Sequence, residues 1–284
     1  FSRYLSPTLV DRLAKNPDLL TLEGEQKELT VLFSDIRDFT SMSEKMSAPD
    51  LSKFLNEYLT PMSDIVMETS GTVDKFIGDE VVAFWGAPLD DEEHAVHGAR
   101  TGLRMLAELA DLQTQWTARD LPPIEIGIGI NTGLMSVGNM GSNTRFDYTI
   151  MGDNVNLGSR LEGLNKQYGT HLLISESTRT TIGPGFFCRQ VDLVRVKGRA
   201  QSVRIYELLC EGDPDEVLRK EVEAFEAGLA EYQTGRFAEA RAKFEAAETI
   251  RAHDLHAVFL KRCRHFLDNP PGPAWDGVYT ATEK

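Results

Sequence analysis

Two aspartates are the first residues in this chain that could do chemistry. Asp35 closes the apolar run "ELTVLFSD" (28–35), and Asp79 sits within "DKFIGDEVVAFWG" (74–86). Adjacent strands of one sheet would bring the two carboxylates together despite their separation in sequence. Carboxylates with no Cys or His nearby suit hard, oxygen-loving ions such as Mg²⁺ or Mn²⁺. A pair of such ions is a device for in-line displacement at phosphorus. Taken singly, each Asp reads as a helix cap or a turn former. After Asp35 comes "IRDFTSMSEKM" (36–46). The pattern predicts a helix starting near Thr40 or Ser41, with Glu44 placed for a capping box. Free N–H groups there could hold phosphate, with Phe39 and Thr40 as candidate substrate contacts. No GxxxxGK[ST] motif is present, so a P-loop is excluded.

Asn156 and Arg160 are four positions apart and so share one helix face. An amide and a planar cation aimed at one point suit a developing negative charge. Alone they read as a cap residue and a surface ion pair. Lys75 lies shortly before Asp79, and Lys197 lies in "VKGR". Isolated lysines read as solvated surface.

The elements that must hold these residues form three zones. Residues 1–26 hold a short helix begun by Ser6-Pro7 and stopped by Asn16-Pro17, a candidate coupling helix. Residues 27–210 alternate strands and helices. Strands are predicted at 28–35, on both sides of a Gly78-Asp79 turn, at 124–133, and in "LLIS", "QVDLVRVKG" and "VRIYELL". Helical patterns run over 41–69 and 90–113, and a strand, a Gly-Asp turn and a helix fill 144–165. The order β-α-β-β-α-β predicts an α/β (α+β) ferredoxin-like sheet. Residues 211–284 form a small helical domain and a tail. Gly228, Tyr232, Gly235, Phe237, Ala240, Phe244 and Ala247 follow the spacing of a tetratricopeptide helix pair. One such pair cannot cover its own apolar faces. A dimer partner is the expected cover, with the catalytic zone or an outside partner as alternatives. Trp275 and Tyr279 are candidate anchors in the loop-like tail.

Composition sets the class. The 284 residues carry 44 Asp and Glu against 30 Lys and Arg, a net charge of −14. Such a chain is a poor general binder of nucleic acid or anionic lipid. Its three cysteines are odd in number and widely spaced, which excludes a disulfide framework and points to the cytoplasm. No apolar run is long enough to span a bilayer, and no signal peptide is visible. The start at Phe1 rather than Met is read as that of a piece, with a sensor or membrane anchor expected upstream.

Together "FSDIRDFT", "DKFIGDEVVAFWG", "GIGINTG", "YTIMGDNVNLGSRLE" and "VKGR" resemble the catalytic domain of class III nucleotidyl cyclases. The flanks "FSRYLSP" and "AWDGV" resemble bacterial adenylate cyclases of this group. The resemblance implies that Asp35 and Asp79 hold two divalent ions, Mg²⁺ or Mn²⁺. It implies that Asn156 orients the ribose and Arg160 meets the α-phosphate. Lys75 and Thr149 resemble the purine-selecting residues, and Lys197 the lysine for the terminal phosphates. It further implies sites shared across a homodimer, the aspartates from one chain and the other residues from its partner. ATP is the implied substrate and 3′,5′-cyclic AMP the product. No residue stands out as general base, with Asp35 and a water as alternatives.

Two positions depart from the common pattern. Thr149 stands where many members carry Asp, which resembles a subgroup often stimulated by bicarbonate. Asp38 stands where Gly is common, beside the expected phosphate loop. Two other readings compete. One is a catalytically silent nucleotide-binding module that signals through its helical tail. The other is a diguanylate cyclase, of whose signature only "IGDE" (77–80) is an echo.

Overall fold

Along β1 (Glu25–Ile36) every residue from Leu29 to Ser34 is buried. A strand covered on both faces belongs in the middle of a layered sheet. It is flanked by β3 (Glu80–Trp85) and β4 (Ile126–Gly141), both antiparallel to it. With β2 (Thr72–Ile77) outside β3, the order β2-β3-β1-β4 is the expected ferredoxin-like one. The sheet continues through β6 (Leu172–Ser175), β8 (Val203–Glu211), β7 (Phe186–Arg195) and β9 (Tyr279–Thr280). Strand β5 (Phe146–Met151) pairs with the far half of β4. This computed structural model describes residues 14–15, 24–119, 121–142, 146–195, 202–272 and 275–280. The expected N-terminal coupling helix lies outside them except for Ala14 and Lys15, which are helical.

One face of the sheet is covered by α2 (Ala48–Glu68) and α3 (His94–Thr117), which pack on Leu32, Ile128 and Ile130. A one-turn helix, α1 (Phe39–Ser43), precedes α2. The helical patterns over 41–69 are thus divided between two helices, and α2 starts after Ser47, whose Oγ accepts from the Asp50 N–H at 3.3 Å. The opposite face carries α4 (Asp153–Tyr168), and a short helix α5 (Glu176–Ile182) follows β6. Helix α4 lies with its backbone against β4. A Cβ on Gly129 would fall 2.2 Å from the Glu162 nitrogen and 2.3 Å from the Gly158 oxygen, so only glycine fits.

The C-terminal helices are α6 (Glu216–Gln233), α7 (Phe237–Ile250) and α8 (Asp254–Asp268). The third went unread in the sequence. Gly228 lets α6 meet α7, where a Cβ would stand 2.8 Å from the Phe244 ring. Tyr232 packs edge-on against Phe237, Phe259 and Trp275, so Trp275 is an anchor as expected. The apolar faces of these helices are covered within the chain. Phe225, Leu229 and Phe259 share one core with Leu161, Leu164 and Tyr168 of α4 and with Val191 and Val194 of β7. The sequence-based expectation of a dimer as their cover is thus met differently.

Buried charge fixes that junction. Arg189 of β7 is fully buried, donates to Glu221 of α6, and lies 3.0 Å from Glu207 of β8. His256 of α8 reaches the same Glu221 at 2.6 Å. Removing one member leaves a desolvated charge uncompensated. Glu221→Ala should therefore destabilise the whole chain by about 3 kcal/mol, measured by urea denaturation. A loss below about 1 kcal/mol, the scale of a surface pair, would refute this account.

Candidate active site

The β1–β3 pairing places the end of β1 beside the β2–β3 turn. Ser34 faces Val81, so Asp35 and Ile36 run alongside Asp79 and Glu80. The Ile36 N–H donates to Asp79 Oδ2 at 3.1 Å, and the Asp79 carboxyl lies close enough to Asp35 to feel its charge. The two aspartates read from the sequence are therefore brought together. Burial, then the contact with Asp35 and its charge, push the Asp79 carboxyl well above its usual range.

Two more acids share this field, and sequence reasoning missed both. Burial and the charge of Asp35 raise Glu80 to about 7. The same causes, with Glu80 added, raise Glu162 of α4 to about 8. Several carboxyls that hold their protons so high are short of positive charge. A hard divalent cation is the group whose chemistry fits this donor set. Asp35 and Asp79 are the pair that the strand register sets side by side, and they would be its ligands. Among the described residues no cluster of three or more His, Cys, Asp or Glu is arranged to hold a metal, so further oxygens would come from substrate or water.

The phosphate loop differs from its prediction. Helix α1 starts at Phe39, and Glu44 closes it rather than boxing its start. With Asp38 as N-cap, the capping-box position three residues on falls at Ser41, not Glu44. Asp38 at the N-cap is left-handed, with φ of 53°, which explains why glycine suits this position. Its carboxylate is exposed and lies 2.8 Å from Lys166 Nζ, whose hydrogen bond and charge hold it below its usual range. The negative charge of Asp38 is thus met locally. Phe39 is half-buried against the α2–α3 core, and Thr40 is exposed. Lys197 lies outside the described residues.

Asn156 and Arg160 sit on α4, two residues before and two after Gly158. Gly158 packs on Val31 and Phe33 of β1. Two residues turn a helix by about 200°, so the pair occupies the face turned away from its own sheet. Arg160 Nη1 is buried without a hydrogen bond, 3.9 Å from Asp153. Asn154, two residues before Asn156, serves structure instead. Its carbonyl accepts from Asn131 at 2.8 Å and its amide donates to the Leu134 carbonyl at 3.0 Å, pinning the start of α4 to β4.

Lys75 and Thr149 do meet, at 3.2 Å between Nζ and Oγ1. A third residue joins them that the sequence did not single out. Thr149 donates to Asp74 Oδ2 at 2.8 Å. Burial raises the Asp74 carboxyl, while Thr149 and Lys75 pull it back.

Residues 23–209 match the family described as the adenylate and guanylate cyclase catalytic domain. This chain belongs to that family. Adenylate cyclase 1 of Rhizobium meliloti is 38% identical to it over 209 residues, 74% of this chain and 31% of that protein. The adenylate cyclase of Anabaena cylindrica is 39% identical over 188 residues, 64% of this chain and 37% of that protein. The chain thus spans well under half the length of either relative. The adenylyl cyclase CyaB of P. aeruginosa superposes with a TM-score of 0.63 at 41% identity, over 69% of this chain and 98% of that one. The guanylyl cyclase Cya2 gives 0.61 at 35% identity, over 68% and 97%. Overall likeness to this cyclase domain therefore does not choose the purine.

The acidic cluster has a measurable consequence. The metal-free fold keeps protons that the unfolded chain gives up, so its stability falls as pH rises from the usual carboxylate range through about 8. A divalent cation competes with those protons. Mn²⁺ alone should raise the melting temperature more at pH 8 than at pH 6, and Asp79→Asn should remove most of the rise. Equal shifts at both pH values, or a shift that survives the substitution, would count against metal binding at Asp35 and Asp79.

Proposed function

We propose that this chain is the catalytic part of an adenylate cyclase, which converts ATP to 3′,5′-cyclic AMP and pyrophosphate. The observation that carries this reading is the juxtaposition of Asp35 and Asp79 at the end of β1, within a family in which the relatives from Rhizobium meliloti and Anabaena cylindrica are named adenylate cyclases. Two divalent ions, Mg²⁺ or Mn²⁺, would supply Lewis acidity at the ribose 3′-hydroxyl and charge neutralisation on the phosphates. Asp35 and Asp79 hold that charge at one point. Arg160 meets negative charge developing on the α-phosphoryl oxygens, and Asn156 orients the ribose. Lys75 and Thr149 take the purine, and Lys197 the terminal phosphates. Phe39 and Thr40 stand at the start of the short helix after Asp35, beside the phosphates.

The active form is a homodimer. On one chain the face of Asn156 and Arg160 turns away from the sheet that carries Asp35, so a second copy must supply the complementary half. Phe76, Ile77, Leu134, Phe146 and Met151 are large apolar side chains left exposed on β2, β4 and β5, and they offer the surface for it. Each dimer then carries two equivalent sites. Thr149 makes bicarbonate the effector to test, and an upstream sensor the expected input. We read α6 and α7 as a tetratricopeptide-like pair that supports the catalytic domain, a reading their shared core with α4 and β7 favours. Among the described residues no helix is long and apolar enough to cross a membrane, which suits a cytoplasmic catalytic segment.

With Mn²⁺ and ATP, the protein should make cyclic AMP at a rate that rises faster than linearly with protein concentration. Asp35→Ala and Asp79→Ala should each abolish the product. Mixing Asp79→Ala with Arg160→Ala should restore activity, since half of the randomly paired dimers then carry one intact site. The yield expected is roughly a quarter of the unmodified protein's. A mixture that dimerises and stays silent would refute the shared site.

A further inference from the structure

Strand β2 pairs with β3 in regular register except at one place. Val73 faces Ala83 and Lys75 faces Val82, so Asp74 is an extra residue in a β-bulge. In a regular strand neighbouring side chains point to opposite faces. The bulge cancels that alternation, and bulges commonly re-aim side chains in this way. Asp74 and Lys75, adjacent in sequence, therefore both reach the Thr149 hydroxyl.

A threonine hydroxyl has one proton to give and two lone pairs to accept with. Here the proton goes to Asp74 Oδ2 at 2.8 Å, and one lone pair takes a hydrogen from Lys75 at 3.2 Å. One lone pair remains, and no donor remains. The Asp74 side chain is 3% exposed, and its second oxygen makes no hydrogen bond, 3.7 Å from Lys75 Nζ. Asp74 is thus poorly placed to touch a base itself and well placed to hold the hydroxyl in one orientation.

We propose that Asp74 is a specificity-determining positioning residue that makes Thr149 an obligatory acceptor and so selects 6-aminopurine over 6-oxopurine nucleotides. Adenine offers an amino donor at C6, where guanine offers a carbonyl acceptor. A hydroxyl free to rotate could serve either, by turning its proton toward the carbonyl. With the proton held by Asp74, the carbonyl of guanine meets only a lone pair. Lys75 keeps further N–H groups for the ring nitrogen that accepts in adenine and donates in guanine. This inference rests on the reading of Lys75 and Thr149 as the purine site.

The test is the ratio of kcat/KM for Mn²⁺-ATP to that for Mn²⁺-GTP in the full chain. That ratio does not depend on the fraction of protein folded, so a destabilised variant remains informative. Asp74→Asn would place its amide oxygen toward Lys75 and its NH₂ toward Thr149, freeing the hydroxyl proton. Asp74→Asn and Asp74→Ala should each lower the ratio about tenfold, the scale of one hydrogen bond. In a Thr149→Val background, Asp74→Ala should change the ratio less than twofold, because the group it acts through is gone. Equal losses for both nucleotides in the Asp74 variants, or the same change with and without the Thr149 hydroxyl, would overturn the proposal. An unmodified protein that prefers ATP while the Asp74 variants keep that preference would refute this inference alone. An unmodified protein that cyclises neither nucleotide would remove the cyclase reading and this inference with it.

Discussion

Helix α4 rests with its backbone on strand β4, and the distances leave no room for a side chain at Gly129. Much of the molecule follows from that seat. It holds Glu162 near Asp35, turns Asn156 and Arg160 to the outside, and aims the last turn of α4 at the C-terminal helices. A side chain at the contact would lift the helix off the sheet and move all three at once. Packing this tight transmits displacement rather than absorbing it.

Charge is divided between two surfaces of one chain. Asp35, Asp79, Glu80 and Glu162 gather at the end of β1 and on the inner side of α4. Arg160 lies on the outer side of the same helix with an unsatisfied nitrogen. The separation keeps the cation from neutralising the acids within one chain.

Strand and helix identities were legible because period-two and period-3.6 patterns are strong in this sequence. The meeting of Asp35 and Asp79 was legible because both sit where neighbouring strands end. Other features had no such signal. Asp74 escaped because alternation puts it on the face opposite Lys75, and nothing in "TVDKFI" marks a bulge. Glu80 and Glu162 escaped because their field depends on which elements pack, and that is a tertiary fact. The capping box at Glu44 failed because the helix starts at Phe39, which puts the box position at Ser41. Helix α8 was missed because its histidines, arginines and phenylalanines mix within each turn. The structure explains the mixture, since buried His256 and largely covered Arg262 are partners of Glu221 and Asp192.

The junction at Tyr168 carries a mechanical consequence. Its hydroxyl donates to Asp192 of β7 at 2.6 Å, and Arg262 of α8 meets the same carboxylate at 2.7 Å. From Tyr168 back to Arg160 is eight residues, about 12 Å of helix. The three C-terminal helices therefore grip α4 at one end as a handle grips a shaft, and Arg160 rides on the shaft. A load on α8 is therefore delivered to α4 at Tyr168 through side-chain contacts rather than along the polypeptide.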